Sequence, residues 1–265
     1  MPGLLPINRR NTRWWHALNS ASRSAILRGA TRPFANNVIV NEYPKSGGSW
    51  LSQMLSECLE LPFPRNRLPM LSSCLMQCHA LNPAGMRNVI VVWRDGRDIV
   101  VSYYYYLIIG HEFGDTRQFE QNAKLLGITD PNDIKSNLPA FIDGLMDTKV
   151  GPSFSWPEFV KRWHGREGII ETRYEDLLSA PNQELQRIVT SLTGKSPSQE
   201  MVDGVVHKYS FKSQSGRDSG TEKHGSFLRK GVAGDWTNHF TPEAIARFNY
   251  HAKDAMNALG YCEAQ

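Results

Sequence analysis

Three short stretches of this chain combine cations, hydroxyls and glycines at spacings that suit the binding of phosphate. The first, YPKSGGSW, runs from Tyr43 to Trp50, straight after the apolar run NNVIVNE. Lys45 and Ser49 bracket Gly47 and Gly48, so a cation, a hydroxyl and a row of backbone N–H groups can form a nest for an anion. The ordinary triphosphate loop reads G-x-x-x-x-G-K-[ST], with its lysine after the glycines. Here the lysine precedes them and none follows. The second stretch is WRDGRDIVVSYYYY, in which Ser102 follows Arg94 by eight residues, about two helical turns. Arginine offers a planar fork for phosphate and a serine hydroxyl adds a further donor. Alone, Arg94, Arg97, Asp95 and Asp98 also read as surface ion pairs. The third stretch is FLRKGVAGDWTNHFT, where Arg229 and Lys230 meet Gly231. Isolated, it would be a solvated charge cluster; with the others it makes a third anion-binding piece.

Such pieces need elements to hold them. Val38 to Val40 read as a short buried strand ending at the first loop, and Trp50, Leu51, Met54, Leu55, Cys58 and Leu59 recur at helical spacing after it. A strand, a glycine loop and a helix in that order aim the loop N–H groups and the helix's positive end at one anion site. Val89 to Trp93 are apolar at nearly every position, as in a strand covered on both faces. A third strand is expected over Gly168 to Thr172, before RYEDL. Pro181 to Gly194 reads as a helix with proline at its start and glycine at its end, and Thr241-Pro242 opens a last helix that closes at Gly260. Between Leu107 and Glu158 no strand is evident, so helices and loops are expected over the site. Strands alternating with helices predict an α/β fold, a three-layer α/β/α arrangement around a central parallel sheet with its ligands at the strands' carboxyl ends.

The 265 residues suit one sizeable domain, residues 37–265, behind a basic extension of residues 1–36. That extension carries Arg9, Arg10, Arg13, Arg23, Arg28 and Arg32, and the first acidic residue is Glu42. With Trp14, Trp15, Leu18, Ile26 and Leu27 it reads as a transit peptide, an interfacial helix or, the reading we favour, a basic helix packed on the domain. Thirty basic against 26 acidic residues suit a small polyanionic ligand and are too few to imply nucleic acid. Cys58, Cys74, Cys78 and Cys262 lack the paired spacing of a zinc site and read as reduced thiols of a cytoplasmic protein. No metal is expected, and no apolar run approaches a membrane span.

The three stretches together resemble the sulfotransferases that use 3′-phosphoadenosine 5′-phosphosulfate, from about Val38 to Gly260, a family with a P-loop-like nucleotide-binding core. YPKSGGSW resembles that family's 5′-phosphosulfate loop, P-K-S-G-T-[TS]-W, with Gly48 where threonine is usual. WRDGRDIVVSYYYY resembles its 3′-phosphate segment, and RKGVAGDWTNHFT its C-terminal R-K-G-x-x-G-D-W signature. The resemblance implies that Lys45, Ser46, Gly47, Gly48, Ser49 and Trp50 hold the donor's 5′ end. It gives the 3′ phosphate to Arg94, Ser102, Arg229, Lys230 and Gly231, and the adenine to Tyr174 and Phe211, with Trp50 beside it. For Tyr174 and Phe211, core packing is the alternative. The family's dimer-forming stretch K-x-x-x-T-V-x-x-x-E is represented here only by Thr241, so the resemblance carries no oligomeric state.

The activity so implied is in-line transfer of a sulfonate group to the hydroxyl, in preference to an amine, of a small acceptor, leaving adenosine 3′,5′-bisphosphate. A kinase with an altered loop would need a lysine after the glycines. A nucleotide-binding protein without chemistry would be expected to have lost Lys45. We assign Lys45, His79 and Ser102 to the catalytic set, with Lys45 at the leaving phosphate oxygen. His79, in CLMQCHAL, is the candidate base, since histidine's ordinary pKa of about 6.5 suits proton removal near neutrality. His111, His224, His239 or a carboxylate are the other candidates, and a hydrogen-bonded core histidine is the plain alternative for His79. The stretch from Leu107 to Glu158 is apolar and aromatic, which suits a lipophilic or phenolic acceptor, and equally a packed lid.

Overall fold

A computed structural model describes residues 13–33, 35–65, 71–110, 115–223, 225–226 and 228–261. Arg9, Arg10, His111, His224 and Cys262 lie outside the described residues, as do the side chains of Arg13, Trp14 and Trp15. The chain opens with α1 (Arg13–Leu27), then β1 (Val38–Glu42), α2 (Gly48–Cys58), β2 (Leu75–Cys78), β3 (Val89–Trp93) and α3 (Gly96–Tyr104). A π-helical turn over Tyr105–Ile109 leads to α4 (Thr116–Leu125), α5 (Ile134–Met146) and α6 (Trp156–Trp163). After β4 (Ile169–Arg173) come α7 (Tyr174–Ser179), α8 (Pro181–Thr193), α9 (Gln199–Lys208), α10 (Phe211–Ser215), a 3-10 turn over Asp235–Asn238 and α11 (Pro242–Ala258).

The strands form one parallel sheet in the order β2-β1-β3-β4. Successive side chains of a strand point to opposite faces, and that alternation generates the two cores. Ile39, Val89, Val91 and Trp93 pack under α3, α5, α6 and α11, through Val100, Phe141, Phe159 and Phe248. Val38, Val40, Ile90 and Val92 pack under α2, α8 and α9, through Leu51, Leu55, Ile188 and Val205. Helices therefore cover both faces, as the continuous apolar runs of β1 and β3 require. The three-layer α/β/α arrangement is the one expected.

Three boundaries differ from the sequence reading. β1 runs on to Glu42, because Asn41 and Glu42 are buried and keep pairing with β2 and β3. β4 is displaced by one residue, since Gly168 adopts φ 75, a left-handed turn conformation that ends strand pairing. β2 was not foreseen as a strand at all. It has only four residues, lies at the sheet edge and carries Gln77 among its apolar ones, so no alternation marks it. The helix signals held. Gly194 ends α8 at φ 72, and the Thr241 side chain accepts the Ala244 N–H at the head of α11.

Candidate functional site

The carboxyl ends of the strands open into one cleft of about 990 Å³. Lys45, Gly47, Ser49, Trp50, His79, Arg94, Ser102, Tyr174, Phe211, Arg229, Lys230 and Gly231 all line it. Lys45 and Gly231, 186 positions apart in the chain, thus share a wall. Ser46 and Gly48 are not on the wall. Ser46 is 1% exposed and its hydroxyl donates to the Tyr43 carbonyl at 2.7 Å, closing the loop from within.

The first loop is shaped by two left-handed residues, Lys45 at φ 77 and Gly47 at φ 96. Gly47 has a second reason to be glycine. A Cβ there would lie 2.6 Å from the Tyr174 ring, so the loop and α7 touch only because no side chain intervenes. The Lys45 ammonium lies 4.5 Å over the Tyr106 ring. Burial, with Arg94 and Arg229 adding like-charge repulsion against the pull of Glu42, brings the Lys45 pKa down to about 8. Trp50 donates its indole N–H to the Tyr209 carbonyl at 2.8 Å and meets Tyr174 edge-on at 6.0 Å.

Arg94 joins all three stretches. It is 9% exposed, and donates to the Lys45 carbonyl at 2.9 Å and the Val232 carbonyl at 3.4 Å. It also lies 4.3 Å over the Tyr174 ring. Its buried Nε has no hydrogen-bond partner among the described residues, and a buried charged donor in that condition is costly unless a ligand completes it. The neighbouring ion pairs are not on the surface. Arg97 is clasped by Asp95 at 2.6 Å, both nearly buried, and stacks 3.8 Å over Trp236.

Two carboxylates that the sequence reading left without a role hold the third stretch. Asp98, 1% exposed, accepts the Gly234 N–H at 2.6 Å and the Trp236 N–H at 2.9 Å, tying α3 to that loop. Asp235 takes both Arg229 and Lys230 at 2.5 Å, and Arg229 is held by Glu222 as well. Burial works against ionisation of Asp235, but contacts with His239, Lys230 and Arg229 prevail and hold it well below the usual carboxylate range. The cations of RKG are therefore preorganised by an acid inside their own motif. Gly231 is left-handed at φ 67, and a Cβ there would overlap the Phe211 ring, so Phe211 packs on the loop.

His79 follows β2 and is solvent-exposed within the cleft. Its Nδ1 lies 3.1 Å from the Glu42 carbonyl. A carbonyl only accepts, so Nδ1 carries the proton of the neutral ring and Nε2 keeps the lone pair. His239 is buried against Asp235 at 3.4 Å and does not line the cleft. Arg65, Arg217 and Lys223 also face the cleft. They come from irregular segments, where no periodicity marks them.

Human sulfotransferase 1E1 is 26% identical, over 83% of this chain and 84% of its own length. Mouse sulfotransferase 1A1 is 29% identical, over 85% of this chain and 86% of its own. Mouse sulfotransferase SULT7A1, solved complexed with PAP, superposes with a TM-score of 0.60 at 16% identity, covering 91% of this chain and 96% of that one. Retinol dehydratase, solved with androsterone and inactive cofactor PAP, does so at 0.57, also at 16% identity, over 83% and 80%. The sulfotransferase domain profile matches residues 61–260, beginning after the first loop and taking in the second and third stretches. The chain is an enzyme of the sulfotransferase family.

Proposed function

We propose that this enzyme takes its sulfonate from 3′-phosphoadenosine 5′-phosphosulfate and passes it in line to a hydroxyl, in preference to an amine, of a small acceptor. One observation carries the donor assignment. Arg94 is buried between the first and third stretches with a donor to spare, a second cationic position beside the Lys45 loop. A nucleotide with phosphate at only one end would leave one of the two positions empty. The donor, when bound, supplies the transferable sulfonate and a phosphate leaving group. Lys45, Gly47, Gly48, Ser49 and Trp50 would hold its 5′ end, with Ser46 closing the loop from within. Arg94, Ser102, Arg229, Lys230 and Gly231 would hold its 3′ phosphate, and Tyr174 and Phe211 its adenine. No residue of this set needs a metal.

Catalysis is then positioning and charge stabilisation. The Lys45 ammonium neutralises charge gathering on the leaving oxygen. His79 Nε2 takes the acceptor's proton while its Nδ1–H stays on the Glu42 carbonyl, which fixes the ring. The cleft wall also includes Tyr103, Tyr106, Leu107, Pro152 and Phe154, an apolar and aromatic group that suits a lipophilic or phenolic acceptor. Residues 1–36 serve as a basic extension of a domain formed by 37–265. Cys58 and Cys78 are unbridged, which supports a cytoplasmic setting.

The test is calorimetric. Adenosine 3′,5′-bisphosphate is expected to bind far more tightly than adenosine 5′-monophosphate, since hydrogen bonds to charged groups contribute about 1.5–3 kcal/mol each. Equal affinities would remove the donor assignment.

A further inference from the structure

The anion position at the head of α2 is already filled by the protein. Glu42 ends β1, is 3% exposed and follows Val38 and Val40 on the face that carries α2. Its Oε2 accepts the N–H of Gly48, the first residue of α2, at 2.5 Å. Its Oε1 accepts from the Gln77 side chain at 2.7 Å, and Gln77 in turn accepts the Ser49 hydroxyl at 3.0 Å. A helix N-terminus favours negative charge because its N–H groups and dipole point that way. A carboxylate and a donor's 5′ phosphate would want the same end of α2.

The space is taken as well as the charge. A Cβ on Gly48 would lie 2.5 Å from the Glu42 carboxyl carbon and 2.7 and 2.9 Å from its oxygens. A threonine at 48, usual in the resembling motif, would overlap that carboxylate. Glycine at this position is the counterpart of Glu42, and the missing hydroxyl is replaced by an acid reaching in from the strand.

Resting on the sulfotransferase reading, we propose that Glu42 is a positioning residue that sets donor affinity. It is an internal anion that holds the loop in its binding shape and gives up the Gly48 N–H when a 5′ phosphate arrives. One N–H cannot serve two anions in a buried site without strong like-charge repulsion. The exchange therefore weakens the binding of any ligand that carries a 5′ phosphate. Ligands without one are untouched.

The experiment titrates adenosine 3′,5′-bisphosphate and adenosine 3′-monophosphate into the wild type and Glu42→Gln. Glutamine keeps the length and an acceptor oxygen but removes the charge. Bisphosphate affinity is expected to rise about tenfold while 3′-monophosphate affinity stays level. In parallel, Gly48→Thr is expected to lose bisphosphate affinity, and adding Glu42→Thr in the same chain to restore it by making room. Should the wild type bind the bisphosphate well and Glu42→Gln bind it no better, the proposal falls and the sulfotransferase reading stands. An equal rise for both nucleotides also overturns it, since the effect would not lie at the 5′ end. A wild type that binds neither nucleotide removes both. If melting curves show Glu42→Gln to be unfolded, the threonine pair decides, and absence of rescue overturns the proposal.

Discussion

Lys45 is where the residue scale has most at stake, because its ammonium is held in a place that disfavours charge. Its pKa of about 8 in the cleft, against an ordinary value of 10.5, fixes the sign of a pH effect. An anionic nucleotide favours the protonated lysine, so binding holds the proton on. As pH rises through about 8 the free protein loses that proton first, and affinity for adenosine 3′,5′-bisphosphate falls. Calorimetry between pH 7 and 9.5 in buffers of different ionisation heat is expected to show proton uptake on binding, growing through that window. Lys45→Ala is expected to be flat there, and to lose turnover by roughly 10²–10³ while affinity falls less, as for a group that acts on the transition state. His79 has the complementary signature. His79→Ala should cut transfer to an alcohol by roughly 10²–10⁴ and leave bisphosphate affinity unchanged. Retained turnover with an unaltered pH profile would move the base elsewhere. That Lys45, Arg94 and His79 would meet in one cleft was legible in the sequence, because a cation beside glycines, or a histidine after an apolar run, marks a candidate for such a site. Glu42 was not. Its meaning depends on Gly48 and Gln77 being within 3 Å, which no spacing reveals.

At the scale of elements, the site depends on how α3 grips the loop that carries Arg229 and Lys230. Asp98 lies on the first turn of α3 and takes two N–H groups of that loop across 136 and 138 residues of chain. Burial raises its pKa from the ordinary value, with Arg94 and the two N–H groups pulling the other way. Asp98→Ala leaves both donors unsatisfied, at about 1–3 kcal/mol each. Bisphosphate affinity is expected to drop toward that of adenosine 5′-monophosphate, while the monophosphate's own affinity changes little. Equal losses for both nucleotides would show that Asp98 supports the whole cleft and not its 3′ end. This linkage explains an asymmetry in what could be read beforehand. β1, β3 and α8 announce themselves by continuous apolar runs or by proline and glycine at their ends. Asp98 and Asp235 look like ordinary surface acids in the sequence, since a carboxylate's burial is decided by the partner segment. β2 escaped notice for a related reason. A four-residue edge strand has too few positions to show a period, and its place was set by pairing with β1.

The whole molecule adds a coupling between the basic extension and the cleft. Ile26 and Leu27, at the end of α1, pack on Cys74 and on Met76 of β2, the edge strand of the sheet. Arg23 donates to the carbonyls of Arg65 and Gln77 at 2.6 and 2.8 Å, and both of those residues line the cleft. An open sheet edge is a liability that proteins cover with a helix or a loop; at β2 the Arg23 side chain takes the Gln77 carbonyl and the Pro62 carbonyl takes the Leu75 N–H. These contacts from α1 bear on the strand that carries Gln77 and leads to His79. Arg23→Ala strips two carbonyls of a charged donor, with an expected cost of about 1–2 kcal/mol, or a fall of a few degrees in Tm for a domain of this size. Deleting residues 1–36 removes Ile26 and Leu27 as well, so its melting temperature should fall further than that of Arg23→Ala. Bisphosphate affinity should fall with it, because the end of β2 loses its outer support. A truncated chain that melts and binds like the full one would show the extension to be an appendage whose task lies outside the fold, the outcome expected of a detachable targeting segment.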